Sequence, residues 1–161
     1  MINYLKPFLY FIPLLVLQLV AVPLISIFNI VPNLIIILVV YYTLLGGQIY
    51  GMILGFFFGF FFDLFSGGVL GASMLAMTIS AFVTGYFYNE NRIDTNTSTY
   101  FFLVILFIAS FVQSIIYSTV GNFNPEAGLG TIIFDCSSLP AVYTILFGIG
   151  VVVFNSRSSR L

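Results

Sequence analysis

Apolar residues run through this chain in long blocks, separated by short stretches where polar positions collect. Blocks long enough to cross about 30 Å of hydrocarbon fall at roughly 7–28, 70–89, 98–120 and 131–154. The block from 32 to 65 differs. Its 34 residues would make a helix of about 51 Å at 1.5 Å per residue, too long for one crossing. Split at Gly46-Gly47, it yields spans 32–45 and 47–65 joined by a tight turn, with Pro32 in a first-turn position that needs no N–H. The pattern therefore predicts six transmembrane helices in one domain over residues 1–161, an all-α integral membrane protein. Pro13 and Pro23 are expected to kink the first helix, which lipid tolerates. The longest polar connections are 89–99 and 121–130.

Within the third span, Gly47, Gly51, Gly55 and Gly59 fall every fourth residue, and Asp63 takes the next place. Residues four apart on a helix share a face, drifting about 40° per step. The glycines form a bare strip that another backbone can approach, either within the chain or from another protein. Phe56, Phe57, Phe58, Phe60, Phe61 and Phe62 fill the positions between. Ser66, Gly67 and Gly68 end the span, and Gly67 suits the left-handed conformation that terminates helices. Gly71 is expected to allow close approach at the start of span 4. Asp63 and Ser66 are three apart, so their side chains should meet.

Composition agrees with a bilayer. Of 161 residues, 61% are hydrophobic and 6% charged, more apolar surface than a soluble domain of this size can hide. A net charge of −1 with no basic stretch points away from nucleic acid. The four basic residues decide the topology. With six spans, Lys6, Arg92, Arg157 and Arg160 share one side; with five, Lys6 would stand opposite the rest. Lys/Arg excess marks the cytoplasmic side, so both termini are expected there, with Tyr4, Tyr50, Tyr86, Tyr88 and Tyr100 near the same interface. That sidedness leaves Asn96-Thr97-Ser98 away from glycosylation. The first block is too long, and followed by too many others, to be a signal peptide.

Asp63, Glu126 and Asp135 fall in the outer half or outer loop, out of reach of every basic residue of the chain. Asp135 begins span 6, where the helix dipole favours it. Asp63 ends span 3, where the dipole disfavours it. An unpartnered carboxylate in lipid is costly. Three accommodations are open: protonation, hydrogen bonds from the turn and the start of span 4, or a cation from another chain.

Little chemistry is possible. The chain has no histidine, so Ser-His triads and histidine metal sites are excluded. Ser73 does not lie in a nucleophile elbow, and the residues around Asp63 and Asp135 match no intramembrane protease motif. Cys136 is alone, which leaves no disulfide or thiolate-metal framework. No catalytic, cofactor-binding or metal-ligating residue is expected. The candidate residues are those of packing and interaction: Gly47, Gly51, Gly55, Gly59, Asp63, Ser66, Gly67 and Gly71.

At these residues the chain resembles the bacterial rod shape-determining MreD family. The resemblance rests on Pro32-Asn33 opening a leucine/isoleucine-rich span, and on the glycine-spaced span ending Asp63-Leu64-Phe65-Ser66-Gly67. Gly71 and a small-residue-rich span 4 with Gly85 extend it. The D-x-x-S-G piece is the most specific. Val69 departs from the proline often found there, and the turn between spans 2 and 3 lacks the usual basic residue. The resemblance implies a fold similar to the six-helix substrate-binding subunits of energy-coupling-factor transporters. It implies a non-enzymatic scaffold in the bacterial cytoplasmic membrane that binds the bitopic partner MreC. Further implied partners are the MreB filament, a SEDS glycan polymerase and a class B penicillin-binding protein. The alternative is a vitamin-binding transporter subunit, which wants a polar, aromatic pocket near the outer surface. Asn29, Asn33, Asn122, Asn124, Glu126 and Tyr117 offer little for one.

Overall fold

The computed structural model describes residues 2–25, 31–89, 100–121 and 138–158. Among the described residues there are six α-helices and no strand. Helix α1 is Ile2–Val20, followed by a 3-10 turn at Val22–Ile25. Then come α2 (Leu34–Gly46), α3 (Gln48–Ser66), α4 (Ala72–Gly85), α5 (Tyr100–Gly121) and α6 (Leu139–Ser158). Most of the two polar connections lies outside the described residues, as do the start of the sixth span, Asn29, Arg92, Asn122, Asn124, Glu126, Asp135, Cys136 and Arg160.

Helix α2 organises the bundle. Its run from Leu34 to Val40 is apolar on every side, a pattern that belongs in an interior, and it packs against each of the other five helices. Ile35, Ile36, Val39 and Val40 are fully buried. Around them close Phe11 and Leu15 of α1, Leu54 and Phe58 of α3, Met77 and Ala81 of α4, and Phe102, Ile105 and Leu106 of α5.

The break expected at Gly46-Gly47 is a one-residue link. Gly47 (φ 90°) closes α2 and opens α3, with its N–H on the Thr43 carbonyl at 2.9 Å. Two proline expectations need correction. Pro23 kinks no α-helix, because α1 ends before it and Pro23 lies in the 3-10 turn. The ring takes the place of the N–H that would continue the ladder, and it disfavours the helical conformation at Val22. Pro32 lies one residue outside α2, whose N-cap is Asn33. Pro7, passed over in the sequence, is inside α1 together with Pro13.

Length separates the helices into two kinds. Lys6–Leu24, α3 and α5 are long and apolar enough to cross a membrane. Helices α2 and α4 have 13 and 14 residues, about 20 Å at 1.5 Å per residue. Span 4, expected over 70–89, is thereby reduced to Ala72–Gly85. By length and composition alone, three of the described helices are sufficient to cross a membrane.

Candidate functional site

The first four N–H groups of a helix have no partner within it and, where they are buried, must find one elsewhere. Helix α4 does so with a residue of its neighbour. Its N-cap is Gly71 (φ 94°), which has no side chain to offer. Asp63, in the last turn of α3 and 2% exposed, accepts instead. Oδ2 lies 2.8 Å from the N–H nitrogen of Gly71, 3.1 Å from that of Ser73 and 3.3 Å from that of Met74, and Oδ1 lies 3.2 Å from that of Ser73. The remaining N–H, of Ala72, goes to the Val69 carbonyl at 3.1 Å. Charged acceptors make the stronger hydrogen bonds, and the carboxylate sits at the positive end of the α4 dipole. Of the three accommodations open to Asp63, bonds from the start of the fourth helix are present.

The turn between the two helices is built from two left-handed glycines. Gly67 (φ 69°) terminates α3, in line with expectation. Gly71 corrects one: a Cβ there would meet nothing within 4 Å, so glycine serves the backbone conformation and not close approach. Ser66 is also placed differently. Its hydroxyl donates to the Asp63 main-chain carbonyl at 3.5 Å and leaves the carboxylate alone.

The glycine row is divided among three roles. Gly47 is the link to α2. At Gly51 a Cβ would collide with the Thr43 side chain of α2. At Gly55 it would fall 2.7 Å from the Met77 carbonyl oxygen, and at Gly59 2.6 Å from the Met74 nitrogen, both in the α4 backbone. The drift of about 40° per four residues carries the row from α2 to α4. Gly85 answers from α4, where a Cβ would collide with Gln48 of α3, and Gln48 Nε2 donates to the Phe82 carbonyl at 2.9 Å. The row is occupied within the chain and offers no free strip to another protein. Phe56, Phe57, Phe60 and Phe61 are exposed, while Phe58 turns inward and stacks on Phe11 at 4.1 Å.

A second capped terminus went unread in the sequence. Helix α2 also has its first four N–H groups filled. The Asn33 N–H donates to Thr144 Oγ1 of α6 at 3.0 Å and that of Leu34 to Gln18 Oε1 of α1 at 2.8 Å. Asn33 Oδ1 accepts from Ile35 and Ile36 at 3.1 and 3.2 Å. Gln18 Nε2 in turn donates to the Pro32 carbonyl at 2.9 Å. One available signal was Gln18 itself, an amide in an otherwise apolar block.

Fold and site together define an all-α membrane protein in which two short helices start inside the bundle on side chains lent by their neighbours. The polar residues hold backbone. The chain belongs to the family of rod shape-determining protein MreD, whose family model matches residues 1–155. Comparison with curated proteins and with solved structures gives no match. Membership gives the chain a part in rod-shape determination.

Proposed function

We propose that this protein is a non-enzymatic scaffold of the cell-elongation machinery in the bacterial cytoplasmic membrane, and that it binds the bitopic protein MreC. Family membership over 1–155 supports the reading. The observation that carries it is the use of the inward-facing polar residues: the buried Asp63, Gln18 and Thr144 and the half-buried Asn33 hold helix termini, which suits a rigid body for contacts better than a reactive centre. The chain crosses the membrane six times with both termini cytoplasmic, in one domain similar in fold to energy-coupling-factor substrate-binding subunits. The elongation filament MreB, a SEDS glycan polymerase and a class B penicillin-binding protein complete the assembly. The eight residues Gly47, Gly51, Gly55, Gly59, Asp63, Ser66, Gly67 and Gly71 shape the body that the partner meets. Because the glycine row is covered, the partner docks on other surfaces, and the turn 63–71 at the end of α3 is the nearest one these residues build.

Affinity purification of the tagged protein from membranes tests this. MreC should co-purify in detergent at near-equal amount. Recovery of paired ATPases in its place would move the chain to vitamin uptake and overturn the scaffold reading.

A further inference from the structure

The contact between α4 and α5 changes character along its length. Ser80 Oγ donates to the Ala109 carbonyl at 2.6 Å, and a Cβ at Gly121 would lie 3.3 Å from that of Ala72, so the two helices run antiparallel. On α5 the buried face is Phe102, Ile105 and Leu106 in the first half. In the second half, toward Asp63, it becomes Ser110, Gln113, Ser114 and Ser118, all buried. Across from them stands Ser73, two turns before Ser80 on the same face of α4.

Two of these hydroxyls, Ser73 Oγ and Ser110 Oγ, are buried with no hydrogen-bond partner among the described groups. For Ser110 an alternative exists. Thr43, Thr78, Thr84, Thr119 and Thr144 each donate to the carbonyl four residues back. Ser110 makes no such bond. A buried hydroxyl without a partner is unfavourable in any apolar surrounding, most of all in a lipid-embedded bundle.

We propose that the Asp63 end of the α4–α5 seam is a hydrated cleft, in which water is held by Ser73, Ser110, Gln113, Ser114 and Ser118. Water both donates and accepts, so it serves hydroxyls and amide alike, and a buried water typically makes about three hydrogen bonds. None of the five side chains carries a charge. At Gly55 and Gly59 the α3–α4 contact is close against the α4 backbone; the α4–α5 contact is water-bridged for half its length.

The test uses the purified full-length chain in detergent, which makes it independent of any partner. Single cysteines are placed at Ser110, Ser118 and Ile105 in a Cys136→Ser background and treated with the small, charged reagent 2-sulfonatoethyl methanethiosulfonate. The reagent attacks thiolate, which forms in water and is suppressed in apolar surroundings. Ser110→Cys and Ser118→Cys should react about 100-fold faster than Ile105→Cys, since the thiol ionises only where it is hydrated. A Ser110→Cys rate no greater than that of Ile105→Cys overturns the cleft. Ser110→Ala and Ser73→Ala provide a second measure. Removing a bare hydroxyl raises the thermal midpoint, whereas removing a water-bound one lowers it or leaves it unchanged, so a rise also overturns the proposal.

Discussion

Asp63 and Gly71 divide between them what one N-cap residue usually does. Gly71 supplies the backbone conformation at the start of α4 and Asp63 supplies the acceptor, with Oδ2 2.8 Å from the Gly71 nitrogen. The two are eight residues apart, so the cap closes only when α3 and α4 are packed. It is at once a helix terminus and a tertiary contact.

Substitution at Asp63 should separate its two possible uses. Asp63→Leu leaves the N–H groups of Gly71, Ser73 and Met74 without an acceptor, at about 1–3 kcal/mol each, and should sharply lower both expression and thermal midpoint in detergent. Asp63→Asn keeps one acceptor oxygen and should retain most of the stability. If a partner cation also reads the charge, Asp63→Asn weakens MreC co-purification without unfolding. Wild-type behaviour of both variants in both assays would remove the capping role.

Gly71→Ala meets no atom but must hold a left-handed backbone, at roughly 1–2 kcal/mol. Gly59→Ala faces the opposite problem, since its Cβ would press on the α4 backbone, which cannot step aside. Thermal midpoints should rank wild type, Gly71→Ala, then Gly59→Ala, with Gly55→Leu and Gly59→Leu lower still. Equal midpoints for the two alanine variants would contradict the division of labour among the glycines.

The phenylalanines of α3 should fall into two classes. Phe58 is fully buried against Phe11, and Phe58→Ala should cost about 3–5 kcal/mol. Phe57 and Phe61 are 43% and 37% exposed, so Phe57→Leu and Phe61→Leu should change the midpoint little. The measurement is unfolding of purified protein at matched detergent concentration; a Phe57→Leu loss as large as that of Phe58→Ala would be the contrary result.

Gln18→Met keeps side-chain length and removes both polar atoms. The Leu34 N–H and the Pro32 carbonyl then lose their partners, at about 1–3 kcal/mol per buried group. A stability within error of wild type would mean that these groups find other partners.

Topology is checked separately. Reporter fusions at the C-terminus and within 89–97 should both report the cytoplasm, because all four basic residues of the chain would lie there. A C-terminus on the other side of the membrane would remove the six-span count.

What could be read in the chain depended on range. The split at Gly46-Gly47 and the helix stop at Gly67 are local, written in the conformational freedom of single residues. The central position of α2 was implicit in its uniform apolar run. The face taken by Phe58 rather than Phe57 could not be read, because lipid and bundle interior are equally apolar and periodicity does not tell them apart. The same holds for caps between distant segments. The Thr144 bond to Asn33 links residues 111 apart, and nothing in either neighbourhood names the other. Asp63 stood out because a carboxylate is rare in lipid; Gln18 marked its block as an amide but named no partner, and Thr144 is a residue type that membrane helices carry routinely.

The link at Gly47 ties the biogenesis of α2 to that of α3. One residue reaches at most about 3.6 Å, so neither helix can leave the bilayer while the other stays at depth. The 13 residues of α2 and the 19 of α3 are thereby held as the two arms of one hairpin. The first turn of α2 is completed by Gln18, which is made before it, and by Thr144, which follows Asn33 by 111 residues. The cap on the Asn33 N–H therefore forms only when the helix that carries Thr144 has been made and packed, so the centre of the bundle cannot be completed by its first helices alone.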